Sequence, residues 1–372
     1  MKKRILYIVA HRYNRSPGQR FRCEHFIPWL KENGYEITFS NMLSEWDDKY
    51  FYKKGYYFLK LIIVIKSFIK RTRHIRNVKK YDAVYIFREA FMLGTTYFEK
   101  KIYKKGVPII FDFDDAIWLK DISDANKSLS WLKKPEKTAE ICKMSDLIIA
   151  GNNYLAEYAS QYNNNVHVIP TTIDTAYHKR TNNYAEKEHI IIGWTGSSTT
   201  IKHFNLLVPV LEELKKKYSK KLKIRVISDA HVNHAGLEIE NIPWSVLDEI
   251  TKLEEIDIGI MPLPNDKWAK GKCGFKGLQY MSMEIPAVMS PVGVNNEIIH
   301  HEKNGFLAET DKDWIELLTQ LIDNKELRKT IGKNGRKTIE DRFSIEANKH
   351  KYLELFNSAI QKKNTRNSSI NS

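Results

Sequence analysis

Short strand-like runs, most of them apolar, punctuate the chain at residues 5–10, 36–40, 83–87, 108–113, 147–150 and 166–169. Between them lie stretches with apolar residues every three or four positions. In 20–33, for example, Phe21, Phe26, Trp29 and Leu30 fall near helical spacing before Gly34 stops the pattern. Strands that are apolar throughout are buried on both faces. Alternating with helices, they predict an α/β fold with a parallel sheet covered on both sides. Residues 174–188 are polar and lose the periodicity, which reads as a linker. The alternation then restarts, with strands at 190–194, 223–228, 256–261 and 287–290 and helices at 203–217, 244–253, 275–283 and 314–324. The expected organisation is a doubly wound domain over 1–178 and a second over 187–342. A terminal helix over 343–361, able to cross back to the first domain, and a disordered tail over 362–372 complete it. Two such domains imply a cleft between them where a ligand sits.

Composition adds a sign to this picture. The 372 residues are 42% hydrophobic and 28% charged, ordinary values for a globular chain. Sixty Lys and Arg against 45 Asp and Glu give a net charge of +15, which favours an acidic partner: nucleic acid, an anionic membrane surface or a phosphorylated ligand. Cys23, Cys142 and Cys273 are far apart and odd in number. That argues against a disulfide framework or a Cys-based zinc site and for a reducing, cytoplasmic setting. The start, Met1-Lys-Lys-Arg followed by six apolar residues, imitates a secretory leader, but His11-Arg12 ends the run too early, so a buried first strand is the better reading. No run approaches the roughly 18–20 apolar residues of a membrane span.

The positive charge is uneven. From Lys49 to Tyr81 there is no acidic residue and there are eleven Lys or Arg, flanking the apolar run 56–65. A helix with apolar anchors and a Lys/Arg face is the pattern of an interfacial membrane element, giving peripheral attachment to the inner face of the cell membrane. The same residues also fit a core helix with a solvated basic end. Nucleic acid is not expected, because no recognition module accompanies the charge.

The candidate chemistry lies mainly in the second half. The strand at 190–194 leads into Thr195-Gly-Ser-Ser-Thr-Thr-Ile-Lys202 and then a helix. Such a turn at a helix start offers main-chain N–H groups from Thr195, Gly196 and Ser197 to phosphate, with Lys202 as a point charge. Further on, Gly271, Gly274 and Gly277 are interleaved with Lys267, Lys270, Lys272 and Lys276 just after the strand at 256–261. Cations and amides at the carboxyl end of a parallel sheet can neutralise a diphosphate. In the first half, Asp112, Asp114 and Asp115 close a strand, where burial is costly without partners; Arg88 or Arg22 could supply them. Clustered carboxylates also raise the question of Mg²⁺.

Taken in order, these motifs resemble the GT-B glycosyltransferases of family 4 (glycosyl transferases group 1), most densely from 190 to 307. Carrying the resemblance are Lys276-Gly-Leu-Gln279-Tyr-Met-Ser, Ile285-Pro-Ala-Val, Gly293 with Glu297-Ile, Asn304-Gly-Phe-Leu and, earlier, Ile169-Pro-Thr-Thr-Ile-Asp174. The resemblance implies two Rossmann-like domains and retaining transfer of a sugar from a nucleotide-diphosphate-sugar to a hydroxyl of a saccharide or lipid-linked acceptor, as in cell-surface polysaccharide synthesis. It implies donor binding by Gly18, Thr195, Gly196, Ser197, Lys202, Lys272, Gly274, Phe275, Lys276, Gln279 and Glu297. Lys202, Lys276, Asp114 and Asp115 would be catalytic, and Arg20, Arg22 and Asp112 would lie on the acceptor side. No cofactor or metal is expected, because lysines and helix dipoles serve the diphosphate in this family. Two positions depart from its pattern: Gly271 and Gln279 stand where a pair of glutamates is usual. Two other readings share these residues. One is a nucleotide-sugar epimerase on the same architecture; the other is a basic membrane- or nucleic-acid-binding protein on a degenerate transferase fold.

Overall fold

The computed structural model describes residues 2–119, 134–181 and 187–370, with side chains to residue 361. The chain forms two units, Met1–Thr171 with Asn348–Ser372, and Thr172–Ala347. Part of the polar segment read as a linker, 182–186, lies outside the described residues.

The first unit is built on a six-stranded parallel sheet of order β2-β1-β3-β4-β5-β6. Its strands are β1 (Lys3–Val9), β2 (Tyr35–Asn41), β3 (Ala83–Phe87), β4 (Ile109–Phe113), β5 (Leu147–Ala150) and β6 (Val166–Val168). All five residues of β3 and of β4, and all four of β5, are buried. The uninterrupted apolar runs are the local cause, since a strand covered on both faces has no solvent side to make polar. The connecting helices are α1 (Pro17–Arg22), α2 (Ile27–Glu32), α3 (Glu45–Phe51), α4 (Tyr57–Arg76), α5 (Tyr97–Lys104), α6 (Lys137–Met144) and α7 (Asn153–Ser160). The single helix expected over 20–33 is broken into α1 and α2. Pro28 lacks an N–H, so it fits the first turn of a new helix rather than the interior of a long one.

The second unit repeats the plan in the order β12-β11-β10-β7-β8-β9. Its strands are β7 (Ile190–Gly196), β8 (Leu222–Ser228), β9 (Ile239–Pro243), β10 (Ile258–Met261), β11 (Ala287–Met289) and β12 (Phe306–Leu307). The helices are α8 (Ile201–Phe204), α9 (Val208–Tyr218), α10 (Glu249–Glu254), α11 (Lys267–Lys270), α12 (Phe275–Ser282), α13 (Asn295–Ile298), α14 (Asp311–Asp323) and α15 (Lys325–Thr338). Pro209 splits the helix expected over 203–217 into α8 and α9 by the same mechanism. The edge strands β9 and β12 and the largely polar α15 have no counterpart in the sequence reading.

The last helix, α16 (Ile345–Ile370), runs through much of the segment expected to be a disordered tail; Asn371 and Ser372 lie outside the described residues. From Asn348 onward it belongs to the first unit. There Tyr352 stacks on Phe26 with ring centroids 4.1 Å apart, and Tyr35 donates a 2.8 Å hydrogen bond to Asn357. In each sheet the strand order reverses beside the first strand, between β1 and β3 and between β7 and β10. Ligands of open parallel sheets bind outside the carboxyl ends of the strands at such a point.

Candidate functional site

In the second unit the reversal lies between the turn after β7 and the loop after β10, the two segments that carry the basic and glycine-rich motifs. His203 on α8 is buried, and its pKa is lowered to about 4. Burial is the main cause, and the positive charges of Lys276, Lys272 and Lys202 follow in that order. Three lysines separated by up to 74 positions in sequence thus act on one imidazole. The Lys276 Nζ stands 5.5 Å from the ring centroid of Trp194, and the Lys272 Nζ 5.0 Å from that of Trp268.

The loop that delivers two of these lysines is fixed by its backbone. Gly274, with φ +68°, precedes α12, and Gly293, with φ +55°, lies against the Lys270 carbonyl, 2.6 Å from where a Cβ would stand. Neither position accepts a side chain without strain. Gly274 leaves α12 without a capping side chain, so the helix begins on its main-chain N–H groups and the positive end of its dipole. Phe275 and Lys276 form its first turn. Gln279, one turn on, is buried. Tyr280 fixes the helix to β7, its hydroxyl accepting a 2.9 Å hydrogen bond from the Thr195 N–H.

The Gly-Ser turn after β7 is less open than its sequence implies. The Thr195 N–H is committed to Tyr280. The Ser197 N–H donates to the Thr200 hydroxyl at 3.1 Å, and the Ser198 N–H to the Asp229 carboxylate at 2.6 Å. Gly196 packs against the Trp194 indole, which a Cβ would strike. In this arrangement the Thr195 amide serves α12 and the Ser197 amide the turn itself, a correction to the expectation that both cradle phosphate. Glu297 is exposed on the short helix α13, and its carbonyl accepts a hydrogen bond from Arg342 at 3.1 Å. Gly271 ends α11 and holds no carboxylate.

Two residues that the sequence did not single out join this region. His203 is one. The other is Asn295, fully buried, whose Nδ2 donates to the Ser290 carbonyl at 2.9 Å while its Oδ1 has no partner. That oxygen faces Gly274, 3.5 Å from the position a Cβ would take. Neither residue stands in a pattern of spacing that marks it. Elsewhere on the unit, an open hollow of about 430 Å³ is lined by Glu302, Glu309, Asp313 and Glu316, and its negative charge makes it unsuitable for a diphosphate.

In the first unit, the carboxyl ends of β1, β3 and β4 gather His11, Arg88, Asp114 and Asp115. The Arg88 Nε donates to Asp114 at 2.7 Å, and its Nη2 to Asp115 at 2.5 Å. Gly18 lies directly over this group, with its Cβ position 3.1 Å from the Asp114 Oδ2 and 3.3 Å from the Arg88 Nη2. His11 is held by Gln19, whose amide oxygen accepts from the His11 N–H at 3.0 Å and whose Nε2 donates to the His11 carbonyl at 3.1 Å. Burial lowers the His11 pKa to about 4 against the pull of Asp48.

Asp112 and Arg22 form a bidentate pair at 2.9–3.1 Å with side chains almost wholly out of solvent. Burial lifts the Asp112 pKa to about 6 against the lowering effect of Arg22. The pair belongs to the interior, which corrects its placing on the acceptor side. Arg20 is also buried, over the Phe21 ring. Among the described residues no three His, Cys, Asp or Glu side chains form a metal-holding group. The cysteines are all free and buried, and no described helix is long and apolar enough to cross a membrane.

Compared with known proteins, residues 253–338 match the family described as glycosyl transferases group 1. The whole chain is similar in structure to the sucrose-phosphate synthase of Thermosynechococcus elongatus, with a TM-score of 0.68 at 10% identity, covering 97% of this chain and all of the other. The fold is that of the GT-B glycosyltransferases. HepE from Anabaena, in a complex with UDP and glucose, shares the GT-B architecture with a TM-score of 0.65 at 13% identity over 96% of this chain and all of that one. In sequence, the capsular polysaccharide biosynthesis glycosyltransferase CapM of Staphylococcus aureus is 23% identical over 184 residues, 46% of each protein. The chain spans less than half the length of the curated relatives it matches. The group 1 match covers the lysine loop, α12 and the segment around Asn295 and Glu297.

Proposed function

We propose that the protein is a retaining glycosyltransferase that moves a sugar from a nucleoside-diphosphate-sugar to a hydroxyl of a saccharide or lipid-linked acceptor in cell-surface glycan synthesis. The convergence of the charges of Lys202, Lys272 and Lys276 on His203, at the strand-order reversal of a GT-B donor unit, carries this reading. Breaking the bond between the anomeric carbon and the phosphate oxygen leaves negative charge on the nucleoside diphosphate. Fixed cations and helix N–H groups stabilise that charge without reorganising during the step. The acceptor hydroxyl forms the new C–O bond, and its proton passes to the departing phosphate oxygen. The donor is a substrate, and the reading includes no resident cofactor or metal.

Similarity to a UDP- and glucose-bound neighbour and to a capsular-polysaccharide enzyme supports a nucleotide-sugar donor and this pathway class. Gln279 can hydrogen-bond a ribose without a charge. The acid-free stretch 49–81 supports work at the inner face of the cell membrane.

The test is thermal stabilisation of the full chain by UDP, GDP, ADP and CMP compounds, followed by transfer assays with Lys276→Ala. A shift selective for one diphosphate, lost with Lys276→Ala, is expected. Full transfer activity in Lys276→Ala would overturn the site assignment. Absence of any nucleotide shift would favour a binding protein without transfer chemistry, the reading to which Gly271 lends its weight.

A further inference from the structure

Helix α4 carries its polar and apolar side chains on the opposite sides from those of an ordinary core helix. Its buried stripe is Lys60, Ile63, Ser67, Arg71 and Ile75. Its outward side holds Phe58 (73% exposed), Leu61 (55%), Ile62, Ile65 (51%), Phe68 and Ile69. At about 100° per residue these two sets lie on opposite faces of the helix.

The inversion has a structural cause. Arg71 is buried and serves as the anchor. Its Nε donates to the Ala90 carbonyl at 2.9 Å, its Nη1 to the Ser40 carbonyl at 2.8 Å and its Nη2 to the Val9 carbonyl at 3.2 Å. Burial lowers its pKa to about 9. Ser67 adds a bond to the Met42 carbonyl, and Lys105 donates to the Ile75 and Arg76 carbonyls at 2.9 and 2.7 Å, closing the helix end. Polar bonds to strand ends hold the helix down together with Ile63 and Ile75, and Leu61, Ile62, Ile65 and Ile69 are turned to solvent.

We propose that this outward face of α4 docks the protein on an anionic lipid bilayer, with Phe58, Leu61, Ile62, Ile65 and Ile69 entering the acyl boundary. The proposal rests on the membrane-side part of the function above and is independent of the donor chemistry. Charge selects this occupant. Lys53, Lys54, Lys66, Arg73 and Arg76 are exposed around the face in a segment without an acidic residue. The neighbouring Asp47 is answered by Lys66 at 2.8 Å. A second copy on the same face would set the exposed Lys53, Lys54, Lys66, Arg73 and Arg76 against the same five charges. A nucleic-acid backbone offers nothing to a row of Leu, Ile and Phe. A bilayer with anionic headgroups satisfies both the cations and the apolar row. Trp46, Tyr56, Tyr57 and Tyr97 are exposed around it, residue types that favour the interface of a bilayer. Tyr97 stacks on Phe68 at 5.7 Å, extending the apolar surface onto α5.

The experiment is flotation of the full chain with phosphatidylcholine vesicles containing phosphatidylglycerol, against phosphatidylcholine alone, without donor. Binding to the anionic vesicles only, weakened by salt, is expected. The double variant Leu61→Gln/Ile65→Gln, which alters half-exposed positions, should bind at least about tenfold less with an unchanged melting transition. Equal binding by the variant, or no wild-type binding to anionic vesicles, overturns the proposal. So does light scattering that shows a dimer which the variant turns into a monomer, or capture of the face by an acidic protein in preference to vesicles. Transfer to a soluble saccharide is measured separately, so a failure of the transferase reading does not resemble a failure of docking.

Discussion

Acidification should destabilise the second unit through His203, and the size of the effect follows from its surroundings. An unfolded histidine titrates near 6.5, whereas burial and the lysine charges lower the folded value to about 4. Between these values the unfolded chain binds a proton that the folded chain refuses. Stability therefore rises with pH across this window and is lost as pH falls from 6.5 toward 4. Integrating the linkage relation from pH 7.5 gives a loss of about 1 kcal/mol at pH 5.5 and about 2–3 kcal/mol at pH 4.5. His203→Gln removes the titration. The test is urea unfolding of wild type and His203→Gln at the three pH values, with the difference between proteins as the readout. His11, also lowered to about 4, is common to both and cancels. His203→Gln should be less stable than, or equal to, wild type at pH 7.5 and gain on it by these amounts as pH falls. A difference independent of pH would refute the argument that the lysines converge on a buried imidazole.

Three further outcomes test other parts of the structure. Lys276→Ala should lower transfer kcat by about 10²–10³, the usual size of one lost electrostatic stabiliser, while circular dichroism stays unchanged. Arg22→Ala strands the buried Asp112 and should cost about 3–5 kcal/mol in urea unfolding; an acceptor-binding role would instead raise the acceptor KM and leave stability intact. Gly293→Ala should lower Tm by the equivalent of about 1–3 kcal/mol, because it adds a Cβ at positive φ against a carbonyl, whereas Ala in place of the exposed Lys53 should change it little.

Elements whose physics is local can be read from the order of residues alone. The strands at 83–87 and 147–150 coincide with β3 and β5, because a continuous apolar run is both the signal of a two-sided buried strand and the reason it is stable. The interleaved glycines and lysines at the start of α12 were legible for the same reason, since glycine and charge act where they stand, whereas Gly293 entered only through the family resemblance. The edge strand β9, Ile-Glu-Asn-Ile-Pro, was not legible: it is only half-buried and carries no apolar run. Which charges are used internally depends on the folded path of the chain. Arg22 and Asp112 are 90 positions apart, yet they neutralise each other in the interior, and Arg71 spends its donors on carbonyls of three separate segments. That path also turned the aliphatic side of α4 outward and brought Lys202, Lys272 and Lys276 around His203. Neighbours in sequence fix the propensity of a segment. Its partners and its exposed face depend on the path of the whole chain, which spacing along the sequence does not record.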